Sequence, residues 1–481
     1  MVGAVVVGFD LSTRAWATAG ERAGRLARGF PIFDGVLRTD TLARDGAADD
    51  FGHLVHRRPL AVLEPGSVDD IVRLIRFARR WGIGVAPRGQ GHASYGQAQV
   101  DAGVVIDMGL LSDVHDVADA TADVDAGVTW RTLLDRTLER GLTPPTLTDY
   151  QDLSIGGTLS LGGIGGAGFR YGAQVDNVVA LEVVTGEGRL VRCSRSRRPH
   201  LFDAVLAGLG QCAVITRASV GLRPAPDELR VFDLVYGDLQ TFAEDSRTVL
   251  RDARFDTLQG LVVPGFAGGW AYILEATSSS GRSDGELLAQ LRDIRQAAVI
   301  ASMSYRSFAL RLDPIVEQQR QAGTWEMPHP WLAVWLPDDQ AVSFAGRVLS
   351  ALTVDDTGGG PILLYPTRSA PFRQPLLRTP TSELMWQFAI LRTALPHTAV
   401  SADDMVQGNR RLFEQAQAVG GLQYPNGAIP LTRADWVQHF GEAWPAFVRA
   451  KRRHDPAGIL TPGQDIFGYA RSSAIRSNRR R

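Results

Sequence analysis

The stretch Pro87-Arg88-Gly89-Gln90-Gly91-His92-Ala93-Ser94-Tyr95-Gly96-Gln97 decides how this chain is read. The apolar run 83–86 before it predicts a buried strand that ends where the glycines begin. Glycine lets backbone amides approach an anion closely and tolerates positive φ. One imidazole, His92, stands in the middle of the loop. Two readings stay open on these residues alone. One is a tight turn with an incidental histidine; the other is a diphosphate cradle with a histidine aimed at the cofactor it holds.

Working outward, Ser67 with Asp70 three residues on predicts a capped helix, with Val68, Ile71, Val72, Ile75 and Ala78 as its apolar face. Residues 104–107 read as the next strand. A second helix is expected from Thr129 to Gly141, with Trp130, Leu133, Leu134 and Leu138 on its buried side. Residues 144–172 form a second glycine-rich stretch, then a hairpin is expected at 178–184 and 189–192. A short helix at 201–206 and a strand at 213–222 close a mixed α+β unit rather than a βαβ alternation. Composition shifts near Pro224-Ala225-Pro226. Beyond it, strands are expected at 231–236, 258–263 and 271–275, and helices at 240–251, 285–296 and 434–452. A domain boundary is expected at that composition shift.

At 481 residues two domains are the prior. A net charge of −1 gives no electrostatic case for nucleic acid or an anionic membrane. The basic cluster 476–481 reads as a solvated tail. The two cysteines, Cys193 and Cys212, are too few for a disulfide framework or a zinc site and suit a reducing compartment. The apolar run 2–9 lacks a basic residue before it and ends at Asp10, unlike a signal peptide. No stretch reaches the about 20 apolar residues of a membrane span. The expectation is a cytoplasmic protein, monomer or homodimer, that takes a small-molecule substrate.

Gly163-Ile164-Gly165-Gly166-Ala167-Gly168 matches GxGxxG, but that fingerprint needs a helix directly after it, and here a strand is expected soon after Gly172. A nicotinamide site is therefore disfavoured. Seven glycines between 156 and 168 still leave room for a cofactor against the backbone. The sequence has no GxxxxGK[ST], HExxH or CxxC, so phosphate-loop and zinc chemistry lack support and no metal is expected. His329, between two prolines, reads as a packed structural residue. Asp149, at the mouth of the second glycine stretch, is either a turn aspartate or a carboxylate whose apolar neighbours raise its pKa for use as a base.

Several pieces in order resemble the vanillyl-alcohol-oxidase-type (PCMH-type) flavoproteins, and most closely the cytokinin dehydrogenases. They are Arg88-Gly89-Gln90-Gly91-His92 with Gly96-Gln97, Thr148-Asp149-Tyr150, Gly156-Gly157-Thr158-Leu159-Ser160 with Ile164, and Val183-Val184-Thr185-Gly186. Further on come Gly208-Leu209-Gly210-Gln211, Pro328-His329-Pro330-Trp331-Leu332, Tyr365-Pro366, Asp455-Pro456 and Ile459-Leu460-Thr461-Pro462-Gly463-Gln464. The resemblance implies an α+β, two-domain FAD-binding fold: a first FAD-binding part over 1–225, an inserted α+β substrate domain over 226–420 and a C-terminal FAD-binding part over 421–481. It implies FAD bonded covalently to His92. Arg88, Gly89, Gln90, Gly91, Ala93, Gly157, Thr158 and Ser160 would surround the diphosphate. Gln97, Ser154, Ile164, Ile215, Tyr424, Thr461 and Gln464 match further flavin contacts. No cysteine occurs in 143–157, so the second covalent bond of berberine-bridge-type relatives has no partner there.

Two positions depart from the family pattern. Ala93 replaces the serine after the linked histidine, with Ser94 next to it. Gln259 stands where cytokinin dehydrogenases carry a substrate-binding glutamate; it keeps hydrogen bonding but loses the charge. The reading is an FAD-dependent oxidoreductase moving hydride from an amine or alcohol C–H to flavin, with Asp149 as base, Gln259 at the substrate and a donor other than a classical cytokinin. The alternatives are a flavin-containing cyclase or lyase of secondary metabolism without net redox chemistry, and a non-catalytic binding module.

Overall fold

The computed structural model describes residues 6–10, 15–18, 29–265, 268–396 and 398–468. The run 2–9 is thus seen from residue 6, as strand Val6–Asp10 paired with Ala15–Thr18. The basic cluster 476–481 lies outside the described residues.

The fold is α+β around two apolar cores. The first core joins a four-stranded and a five-stranded sheet. In the smaller sheet Ala61–Glu64 and Val85–Arg88 both run parallel to Val104–Asp107, and the helix Val68–Trp81 links the first two. Chain from the far end joins this sheet: the Val85 amide donates to Ile459 O and the Thr461 amide to Val85 O, each at 2.8 Å. A buried Lys451–Asp455 pair (2.8 Å) holds that segment, since Lys451 also donates to Leu460 O and Asp455 accepts from the Leu460 amide.

The second core lies under an eight-stranded antiparallel sheet. Strand side chains alternate between faces. Phe232, Leu234, Leu258, Leu274, Ala276, Trp386 and Phe388 turn to the helices Leu239–Asp252 and Asp338–Ala351. The opposite parity, Asp233, Gln259, Glu275, Tyr365 and Gln387, turns to a cavity between the sheet and the first core.

Four local expectations need correction. Ser67 sits at the helix N-cap, but its hydroxyl donates to Asp34 (2.6 Å) instead of capping. The fully buried Asp70 takes the amides of Asp34, Gly35 and Gly66, a stronger anchor for that end. The helix expected at 285–296 is one turn, Asp284–Leu287. Arg254 occupies the carbonyls of Leu287 and Ala289, and Asp245 takes the Arg292 amide, groups that a longer helix would need. The helix expected at 434–452 breaks into Arg433–Phe440 and Trp444–His454. Gly441 adopts φ +47° there, and Pro445 has no amide to continue the ladder. Part of the second glycine stretch is helical, Ile155–Leu161, and Gly156 lets that helix pack on Ala126, where a Cβ would stand 2.8 Å from Ala126 Cβ. The GxGxxG run leads into one helical turn, Gly168–Tyr171, before the strand Val178–Thr185.

Candidate active site

One cavity of about 690 Å³ is walled by every residue singled out from the sequence as a cofactor or substrate contact. Its two ends differ in chemistry. At one end lies the loop 88–93, where Val85–Arg88 stops. The loop is pinned from outside the cavity: the Phe51 amide donates to Gly91 O and the Gly52 amide to Ala93 O. Asp50 secures it further, accepting from the amides of Gly52 (3.1 Å) and Gly96 (2.7 Å), and burial pushes its carboxyl up to about 6. Among the described residues, the amides of Gly89, Gln90, Gly91, His92 and Ala93 have no protein acceptor. Glycine is required at 89, where a Cβ would fall 1.9 Å from Ser154 Oγ. The Arg88 guanidinium turns back to the Asp49 carbonyl.

His92 stacks on Phe51 at 4.1 Å, and Phe51 stacks on His329 at 4.1 Å and 5°. Tyr150, Trp325 and Trp331 complete the aromatic surround. Burial, with His329 nearby, pushes the His92 imidazole down to about 3, so it is neutral at pH 7. His329 is packed, 3% exposed, and burial pushes it down to about 4. Ser94 is buried, donates to the Asn426 carbonyl and does not line the cavity, so it does not replace the serine missing at Ala93.

The remaining contacts come from distant segments. Ser154 and Gly157 flank the start of the helix Ile155–Leu161. The hydroxyls of Thr158 and Ser160 donate to the carbonyls of Ile155 and Gly156, and Thr158 also accepts from Trp130, so toward a ligand these hydroxyls can only accept. Ile164 and Ile215 supply apolar wall. Tyr424 OH accepts from the Gly163 amide at 3.0 Å, and Gln97 Nε2 donates to the Pro425 carbonyl. Thr461 is fixed by Gln211 and Gly210, with Gln464 following in the turn Pro462–Gln464. Two carboxamide oxygens in the cavity wall, Asn426 Oδ1 and Gln387 Oε1, are buried without a partner.

These features fit FAD. Unpaired amides beside glycines suit an anionic diphosphate, and the orphan Asn426 Oδ1 beside the loop suits an N–H donor such as a flavin edge offers.

At the other end Asp149 is not surrounded by apolar groups, as the sequence suggested. Its Oδ1 accepts from Gln259 Nε2 (2.7 Å) and Arg311 NH2 (2.8 Å). Arg311 also donates to Gln259 Oε1 (3.0 Å) and to both oxygens of Glu275 (2.8 and 3.0 Å), and lies over the Phe308 ring. Burial alone would lower the Arg311 pKa; Asp149 and Glu275 more than offset this and hold it above its ordinary value. Burial raises Glu275, and Arg311 opposes that. Arg311, Glu275 and Asp233 were not found from the sequence. The available signal was a single acid at an inward position of each of two apolar strands, which marks a polar cavity floor only once the strands are paired.

The comparisons with known proteins agree with this layout. Residues 59–194 match the family described as FAD binding domain, and 272–467 that described as cytokinin dehydrogenase 1, FAD and cytokinin binding. An uncharacterized oxidoreductase, ORF5 in the fasciation locus of Rhodococcoides fascians, is 38% identical over 433 residues, spanning 89% of this chain and 98% of that protein. Cytokinin dehydrogenase 9 of Oryza sativa subsp. japonica is 35% identical over 473 residues, 89% of each chain. Cytokinin dehydrogenase 1 of Arabidopsis thaliana is 33% identical over 468 residues, 87% of this chain and 80% of that protein. The fold is that of 6-hydroxy-D-nicotine oxidase from Arthrobacter nicotinovorans, with TM-score 0.70, 21% identity, and 92% and 99% of the two chains covered. A glycine cradle at one end, an anchored carboxylate at the other and full-length relatives at this identity lead to one conclusion: the chain belongs to the cytokinin dehydrogenase family of FAD-dependent, PCMH-type oxidoreductases.

Proposed function

We propose that this protein oxidises the CH–NH group of a small amine, with FAD linked covalently to His92 and Asp149 as the proton acceptor. The observation that carries the reading is the anchoring of Asp149. Both of its hydrogen bonds fall on Oδ1, so Oδ2 is left to meet a substrate N–H. Arg311 and Gln259 fix the carboxylate in place, and a base must be held within hydrogen-bond reach of the proton it takes. Bound flavin supplies the hydride acceptor. The loop 88–93 and Gly157 would hold its diphosphate through backbone amides, and Gln97, Ser154, Ile164, Ile215, Tyr424, Thr461 and Gln464 would bound the rest. A neutral His92 imidazole suits a ring nitrogen that forms a covalent bond, because a protonated one has no free pair. Aromatic side chains around His92 keep water from that end.

Gln259 would select the donor. Its amide is engaged on both atoms, donating to Asp149 and accepting from Arg311. It therefore positions the base and offers no charge to a purine N–H, so isopentenyladenine should be a poor donor. Anaerobic mixing with candidate amines should bleach the flavin in a single phase, and intact mass should show one added FAD, lost in His92→Ala. Bleaching by isopentenyladenine as fast as by any amine would refute the altered donor. An unmodified mass would refute the covalent link.

A further inference from the structure

One carboxylate in the chamber has no part in the reaction just proposed. Asp233 faces Glu275 across adjacent strands, and Glu275 faces Gln259 across the next pair. The three stand in one row on the sheet face that lines the cavity. The row continues: Leu261 opposite Leu363 sets Gln259 beside Tyr365, and Tyr365 pairs with Gln387. Arg311 hydrogen-bonds Asp149, Gln259 and Glu275 but not Asp233. Among the described residues the Asp233 side chain makes no hydrogen bond or ion pair.

The chamber thus sets three carboxylates, Asp149, Glu275 and Asp233, against the single guanidinium of Arg311. A partly buried carboxylate without a partner is costly, and either a proton or a cation relieves the cost. Burial raises Asp233 and Arg311 opposes it. A second observation points the same way. Gln387, 2% exposed and four strands along the row from Asp233, presents a buried Oε1 without a donor among the described residues, so the far wall of the chamber also calls for donors. Both unsatisfied groups on the row are acceptors.

We propose that the chamber takes a substrate carrying a protonated nitrogen distinct from the one oxidised, seated by Asp233 with Glu275 beside it. This rests on the reading of Asp149 as the group that meets the reacting N–H. Two strand spacings of about 4.8 Å separate Asp233 from Gln259, so the two substrate nitrogens stand several bonds apart.

The test uses two probes with the same benzylic CH–NH: 4-(dimethylaminomethyl)-N-methylbenzylamine, the cationic probe, whose remote nitrogen is protonated, and 4-isobutyl-N-methylbenzylamine, its isostere with an uncharged carbon at that remote position. Affinities are measured by anaerobic equilibrium dialysis against FAD-loaded enzyme held reduced with dithionite, so that neither probe turns over. The cationic probe should bind about 10- to 100-fold more tightly, the range of a charged hydrogen bond, and the preference should vanish in Asp233→Asn. Asp233→Glu should keep it. Equal affinities in the wild type would mean that Asp233 carries a proton instead and would overturn the proposal, as would a preference that survives in Asp233→Asn. If the variants lose FAD, the wild-type ratio alone decides. Failure of every amine to bleach the oxidised flavin would strike the oxidase reading instead, and dialysis reads the charge preference independently of it.

Discussion

The cradle end and the chamber end of the cavity are built by opposite strategies. The cradle comes from one continuous loop whose amides have no protein acceptor among the described residues, with glycine or alanine at 89, 91 and 93. The chamber comes from side chains on separate strands and a helix turn, brought together only by pairing register. Backbone recognition of a diphosphate tolerates little change, because a Cβ at Gly89 would collide with Ser154. A side-chain chamber can be rewritten one residue at a time without disturbing the cradle.

The most damaging test of this division is truncation. Removing everything after Pro425 takes away the segment paired with Val85 and the contacts at Thr461 and Gln464. FAD content of the purified protein, read from absorbance, should fall to nothing. A truncated chain with stoichiometric FAD would show that the cradle needs no C-terminal support and that the proposed domain division is wrong.

A change confined to the chamber should leave the flavin in place. Arg311→Met leaves Asp149 and Glu275 without their shared cation and should lower stability by less than the roughly 3–5 kcal/mol of a fully buried pair, since these side chains are partly exposed. FAD content should hold while the limiting rate of flavin reduction collapses, and Arg311→Lys should restore part of the rate. A Met variant that reduces flavin at the wild-type rate would remove Arg311 from the positioning of Asp149.

The converse change is Gly89→Ala. It should lower FAD occupancy, yet the fraction of enzyme that retains FAD should reduce it at close to the wild-type rate. Equal losses of occupancy and rate would mean that the two ends are not separable.

The smallest effect expected is on pH. Burial pushes His329 down to about 4 and His439 to about 3, against an ordinary value near 6.5. The unfolded chain takes up these protons as pH falls below about 6.5 while the folded chain does not. Their contribution is fully present above that pH and is lost on acidification toward 4. The melting temperature should be flat from pH 8 to 7 and drop between pH 6.5 and 4.5, with a shallower slope in His329→Asn. An unchanged slope would assign the acid sensitivity to other groups.

The contrast also explains what the sequence disclosed. The cradle was legible because its signal is local: glycines, a strand before them and one histidine at fixed spacing. The C-terminal contacts at Thr461 and Gln464 were legible only through family resemblance, since nothing near them predicts pairing with Val85. Asp149 was legible as a residue but not in its setting. Its partners come from positions 110 and 162 residues away, and no local pattern encodes them. The helix expected at 285–296 failed for the same reason, with Arg254 and Asp245 overriding its propensity from outside.

The central claim is that Asp149, held by Arg311 and Gln259, accepts the substrate proton. Stopped-flow flavin reduction by a good amine donor, comparing the wild type with Asp149→Asn, tests it most directly. The account predicts unchanged FAD content and a limiting rate lower by about 10²–10⁴-fold, the contribution of a general base. A variant that reduces its flavin as fast as the wild type would contradict it.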